Sequence, residues 1–145
     1  MKFQEYVTKE EVKEVCKKLR IRNWTALTKP AVTKEEARKI LKIVNTTGMN
    51  IPLEWFKHGL EVELEHGTMY KDANVTNNHP ILTGMIVLAH LKETLDYYDR
   101  LEVAEIEGDL LKAITEKNPA KVEAKYRKLI KAKEILAQVE SKTLR

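Results

Sequence analysis

One cysteine, five glycines, four prolines and no long apolar run bound this 145-residue sequence before any motif is read. With Cys16 alone, no internal disulfide closes and no cysteine-rich metal site forms, so a reducing, cytoplasmic setting is the expectation. No apolar stretch approaches the roughly 18 residues of a membrane span. The opening MKFQEYVTKEE also lacks the apolar middle of a signal peptide, so no membrane partner is expected. Few glycines, few prolines and few period-two alternations exclude a turn-rich all-β chain and point to an all-α fold.

What the sequence does contain is charge and helix punctuation. Lys and Arg number 26 against 22 Asp and Glu, and the net +4 conceals three blocks. Residues 1–50 carry +6, residues 51–110 carry −8 and residues 111–145 carry +6. All four histidines, His58, His66, His79 and His90, fall in the acidic block. A folded chain reconciles such blocks most simply by pairing them internally. The same block gathers the histidine and most of the carboxylate metal ligands of the chain.

Thr8-Lys9-Glu10-Glu11 and Thr33-Lys34-Glu35-Glu36 read as capping boxes that start helices over about residues 9–20 and 34–46. IRNWTALTKPAV connects them, with Trp24 and Leu27 tucked against the body. Thr46-Thr47-Gly48 stops the second helix, and Pro52 opens a third that runs to Gly67. After the polar loop TMYKDANVTNNH, Pro80 opens a fourth helix to about residue 94. Asp96 caps a continuation, coaxial or kinked, and Asn118-Pro119 starts a last helix to about residue 141. The expectation is one domain, 1–145, a single-domain helical bundle of about five to six helices. At that length it buries roughly two thirds of its unfolded surface.

The third helix closes on LEVELEHG. At 100° per residue, Leu53, Phe56, Leu60 and Leu64 form its apolar stripe, and Glu61 and Glu65 are expected to face solvent. Glu63 and His66, at i and i+3, share the opposite flank at about 60° and 120° from Leu60. In the fourth helix His90 and Glu93 repeat the spacing in reversed order. An exact antiparallel hairpin would hold the two pairs apart, whereas a parallel or steeply crossed arrangement would bring them together. Glu63, His66, His90 and Glu93 then form a candidate divalent metal site for Zn, Fe or Mn, because two neutral imidazoles and two carboxylates suit those ions. Glu65, Asp96 and Tyr97 are its supporting polar residues, and Tyr98 packs in the core. The competing reading makes both pairs hydrogen-bonded couples that fix helix packing. His58 and His79 are expected to be exposed and without a chemical role.

The last helix, 119–141, is basic and amphipathic, and Lys121, Lys125 and Lys128 mark a possible anion-binding face. Without interleaved exposed aromatics, a solvated or internally neutralised face is favoured over nucleic-acid binding.

From about Thr33 to Glu105 the sequence resembles an uncharacterised domain family of phage and bacterial proteins. The residues that carry the resemblance are Glu35-Glu36-Ala37, the run from Phe56 to Gly67, Asn74 to Asn77, and the run from Thr83 to Leu101. The resemblance implies that Glu63, Glu65, His66, His90, Glu93, Asp96, Tyr97 and Tyr98 belong to the family pattern, and it implies no established activity. Leu95 stands where the family commonly has proline, and Asn78-His79 replaces a more acidic loop. Two functions remain side by side: a helical protein with a Glu/His site that takes a divalent metal, or a non-enzymatic phage or host interaction module. The second would meet an acidic protein or nucleic acid through its basic helices. A homo-oligomer is compatible with both.

Overall fold

The structure, a computed structural model, describes residues 4–144. Those residues hold no strand. Six helices follow in order: α1 (Lys9–Leu19), α2 (Lys34–Val44), α3 (Leu53–Met69), α4 (Pro80–Glu93), α5 (Tyr97–Thr115) and α6 (Pro119–Thr143). Single 3-10 turns stand at Trp24–Ala26 and Lys71–Ala73. The fold is all-α, and its contacts group into two compact units, residues 1–95 and 96–145. No helix is long and apolar enough to cross a membrane among the described residues.

The helix starts follow the local chemistry. The Thr8 oxygen accepts the Glu11 N–H, and at α2 the box is complete in both directions between Thr33 and Glu36. Pro80 and Pro119 occupy first turns, where a missing N–H costs nothing. Between α4 and α5, Thr94 is extended (φ −158°, ψ 140°), so the helix is interrupted there even without a proline at Leu95.

In the first unit, α2 packs on both α3 and α4, and α1 touches α4. Val12 and Cys16 of α1, Ala37 and Ile40 of α2, Phe56, Leu60 and Leu64 of α3, and Val87 and Leu91 of α4 are all buried, with Trp24 among them. Gly84 sets the spacing of α2 and α4: a Cβ there would lie 2.5 Å from Ile40 Cγ2 and 3.5 Å from Phe56 Cζ. Phe56 therefore sits beside Gly84, and seven residues later Glu63 meets His90, six residues beyond Gly84. The two contacts advance in the same sense along both chains, so α3 and α4 run parallel.

The second unit is the antiparallel pair α5 and α6. Ion pairs Glu116–Lys121 (2.9 Å), Asp109–Lys125 (2.6 Å), Glu107–Lys133 (3.4 Å) and Arg100–Glu140 (2.9 Å) mark successive levels from its closed end to its open end. Ile106, Leu129 and Ala132 form the buried seam, with Val103 and Leu110 against it.

Candidate functional site

Each i, i+3 pair delivers one member to the helix contact. His90 Nδ1 and Glu63 Oε1 lie 3.1 Å apart across α3 and α4, with the side chains 29% and 18% exposed. His66 and Glu93 are exposed. Helical phase gives the reason. Glu63 stands at about 60° from the Leu60 stripe and His66 at about 120°, past its edge; Glu93 likewise lies some 160° from Leu91. Among the described residues, no three His, Cys, Asp or Glu side chains gather as metal ligands do.

The other residues singled out in the sequence are dispersed. Glu65 is exposed. Asp96 is buried in the second unit, where Arg100 clasps it with Nε at 3.0 Å and a terminal nitrogen at 2.6 Å. Its side chain therefore serves an ion pair rather than an N-cap. Tyr97 is half-buried and stacks edge-on against buried Tyr98, with ring centroids 5.1 Å apart. On α6, Lys121 bonds Glu116 and Lys125 bonds Asp109, while Lys128 is exposed. The Lys125 ammonium holds the Asp109 carboxyl below its usual range, and Glu116 raises the Lys121 ammonium above its own.

Three further expectations need correction. Glu61 is not a solvent charge: it is 26% exposed and accepts both the Val32 N–H at 3.0 Å and Lys57 Nζ at 2.7 Å. The connector entering α2 passes over that flank, and its path is set by tertiary packing. His79 is buried and caps α4, its Nδ1 accepting the Ile81 and Leu82 N–H groups at 3.2 and 3.3 Å. Histidine is an unusual cap, so the polar loop masked the role. Gly67 does not end α3, which continues to Met69. A Cβ at Gly67 would collide with the amides of Asn74 and Asn78.

Those asparagines form a clamp that the sequence marked only as a loop. Asn74 donates to the Gly67 carbonyl (3.2 Å) and to Asn78 Oδ1 (2.9 Å), and Asn78 donates to the buried Trp24 carbonyl (3.2 Å). Asn77 reaches the Val7 carbonyl at 2.6 Å. Asn77 and Asn78 adopt φ of 48° and 61°, a left-handed region that asparagine tolerates well. A polar cavity of about 120 Å³ lies here, lined by Lys9, Lys71, Thr25 and the three asparagines among others, but the asparagine amides are committed to internal partners.

The densest polar knot is Glu36, also unforeseen. Its carboxylate accepts Arg22 Nε (2.9 Å), a second Arg22 guanidinium nitrogen (2.6 Å), the Arg22 N–H (3.2 Å), Trp24 Nε1 (3.3 Å) and the Thr33 N–H (2.9 Å). Burial pushes this carboxyl up, yet the bonds from Arg22, Thr33 and Trp24 outweigh it and hold the pKa at about 2. The available signal was phase, since Glu36 shares the inward face with Ile40.

Residues 12–107 match a family described as a protein of unknown function, DUF5661. The chain belongs to the DUF5661 family. No curated protein and no solved structure matches it. The DUF5661 match takes in Glu36, the asparagine clamp and the Glu63–His90 pair, and it ends inside α5, leaving α6 outside.

Proposed function

We propose that this chain is a non-enzymatic interaction module that meets a protein partner through one side of its C-terminal hairpin. The observation that carries this reading is the exposure of four large apolar side chains on the paired helices, Leu111 and Ile114 on α5 and Tyr126 and Ile130 on α6, each more than half exposed. Single exposed hydrophobics are ordinary, whereas a contiguous group on paired helices marks a contact surface. Lys121, Lys125, Arg127 and Lys133 already face carboxylates of the same hairpin, so a nucleic acid would have to displace them. This favours a protein surface over phosphate. The test is a photo-crosslinking residue at position 111 or, as control, at 128 on the other flank of α6. The reading expects adducts from 111 and none from 128 in cells producing the protein; equal yields, or none from either, reject it.

A second reading rests on the 3.1 Å contact between Glu63 and His90. That spacing suits two ligands of one divalent ion as well as a hydrogen bond, and Zn, Fe or Mn held by these two side chains would complete its shell with water. If so, added metal raises the melting temperature of the wild type and leaves Glu63→Gln and His90→Ala unmoved. No shift in the wild type makes the pair purely structural.

A further inference from the structure

We propose that the occupant of the exposed hairpin side is a second copy of this chain, packed so that α5 of each copy lies on α6 of the other. The inference rests on the contact-surface reading and names its partner. In an antiparallel helix pair, positions about 100° beyond the seam on both helices turn to the same side. Glu107 follows seam residue Ile106, Lys133 follows seam residue Ala132, and their 3.4 Å ion pair fixes that side. Leu111 follows Leu110, Ile114 follows Ala113, and Ile130 follows Leu129, so they project to it as well, and Tyr126 follows Lys125 in the same phase. The bracketing ion pairs Glu116–Lys121 and Glu107–Lys133 put all four apolar residues in the half of the hairpin nearer its closed end. Toward the open end the same side carries the exposed small residues Ala104 and Ala137, which permit close approach.

The side can match itself in charge where it carries the Glu107–Lys133 pair. On the proposed side Glu107 stands on α5 and Lys133 on α6. A two-fold axis parallel to the helices places each α5 on the α6 of the other copy, antiparallel and at unchanged height, so that Glu107 of each copy stands over Lys133 of the other. Leu111 and Ile114 then meet Tyr126 and Ile130 of the second copy. An axis across the helices would stack α5 on α5 and α6 on α6, and would take Glu107 away from Lys133 of the other copy. The face also has the size a dimer needs. Nineteen residues of α5 at 1.5 Å each, beside a helix about 10 Å away, present roughly 500–600 Å² per copy, or about 1,100 Å² in total. That is close to the lower end of stable interfaces. A two-helix unit has one seam of its own, and a second copy supplies the second layer that makes four-helix packing.

Sedimentation equilibrium of the intact protein across concentration is the test. The expected result is a dimer that dissociates on dilution, with L111E/I130E weakening it by about a hundredfold or more. I135E, on the other flank of the same helix, should leave it intact. Circular dichroism and melting of each variant separate lost association from lost folding, and Leu111→Cys mixed with Ile130→Cys supplies a readout independent of stability. Under oxidation the mixture should form a 111–130 crosslink that neither variant forms alone. A monomer at about millimolar concentration, a dimer broken by I135E and not by L111E/I130E, or 111–111 crosslinks in place of 111–130 would each overturn the proposal. A monomer that still yields photo-crosslinks to another protein from position 111 would refute the second copy while sparing the contact surface.

Discussion

Glu36 shows how one buried carboxylate gains a structural role that its local motif only half reveals. As the third residue after Thr33 it completes a capping box, which is visible in four letters of sequence. Its inward phase with Ile40 was legible too, but the Arg22 and Trp24 donors depend on how the connector folds back, and no periodicity encodes that. The consequence is a pH dependence of known sign. The carboxyl ionises at about 2 when folded, against an ordinary value of 4.5, so its contribution is complete above about pH 4.5. It is lost as the pH falls from there through about 2, because the unfolded chain takes up the proton first. The contribution is on the order of 3 kcal/mol. Denaturant titrations at pH 7, 4 and 3 should show that slope in the wild type, and Glu36→Gln should be less stable at pH 7 with a flatter acid profile. Parallel acid profiles in the two proteins would assign the acid sensitivity elsewhere. His79 supplies a second check at this scale: His79→Ala removes the acceptor at the start of α4 and should cost about 1 kcal/mol, while His79→Asn, a good cap, should cost less.

Between elements, the geometry turns on two contacts of α4, one with α2 and one with α3. Helix starts were legible almost residue by residue, because threonine caps, Pro80 and Pro119 act within one turn, whereas α3 ran two residues past Gly67. The direction in which α3 and α4 pass each other was not, since a loop of ten residues permits either sense. The same limit applies to the candidate site. Spacing identified Glu63 with His66 and His90 with Glu93, yet a helix contact about 100° wide admits only the nearer member of each pair, and the structure joins Glu63 to His90. Glu63→Ala and His90→Ala should therefore be non-additive by about 0.5–1 kcal/mol in a double-mutant cycle, while His66→Ala stays within about 0.5 kcal/mol of wild type. Additivity of the first two changes would show the contact to be energetically idle. Gly84→Ala addresses the α2 contact. The added methyl must displace Ile40, which is fully buried, so a loss of about 1–3 kcal/mol is expected from thermal or urea denaturation.

At the scale of the whole molecule, the alternating charge blocks explain why a basic chain need not be a nucleic-acid binder. Basic flanks pair with the acidic middle at Lys34–Glu54, Lys125–Asp109 and Lys133–Glu107, at 2.7, 2.6 and 3.4 Å. The blocks were plain in the sequence; which lysine meets which carboxylate required the hairpin register. On α6, Lys121, Lys125, Arg127 and Lys133 are engaged, and Lys128 and Lys131 remain as exposed bases of its central turns. Each phosphate contact adds close to one unit to the salt dependence of binding, so the two bases available on the central turns of α6 give a slope of log K on log salt near about −2. Such binding is non-specific and weak, with dissociation constants of about 10⁻⁴ M or higher at physiological salt. Retardation of labelled single- and double-stranded DNA and RNA from 50 to 200 mM salt measures both quantities. The charge-paired hairpin predicts shallow slopes for every probe and little change in Lys128→Ala. A slope near −6 with tight retention at the upper salt concentration would mean that the paired bases of α6, or the basic residues 1–50, meet phosphate, and a basic surface would then be the working one in place of the apolar one.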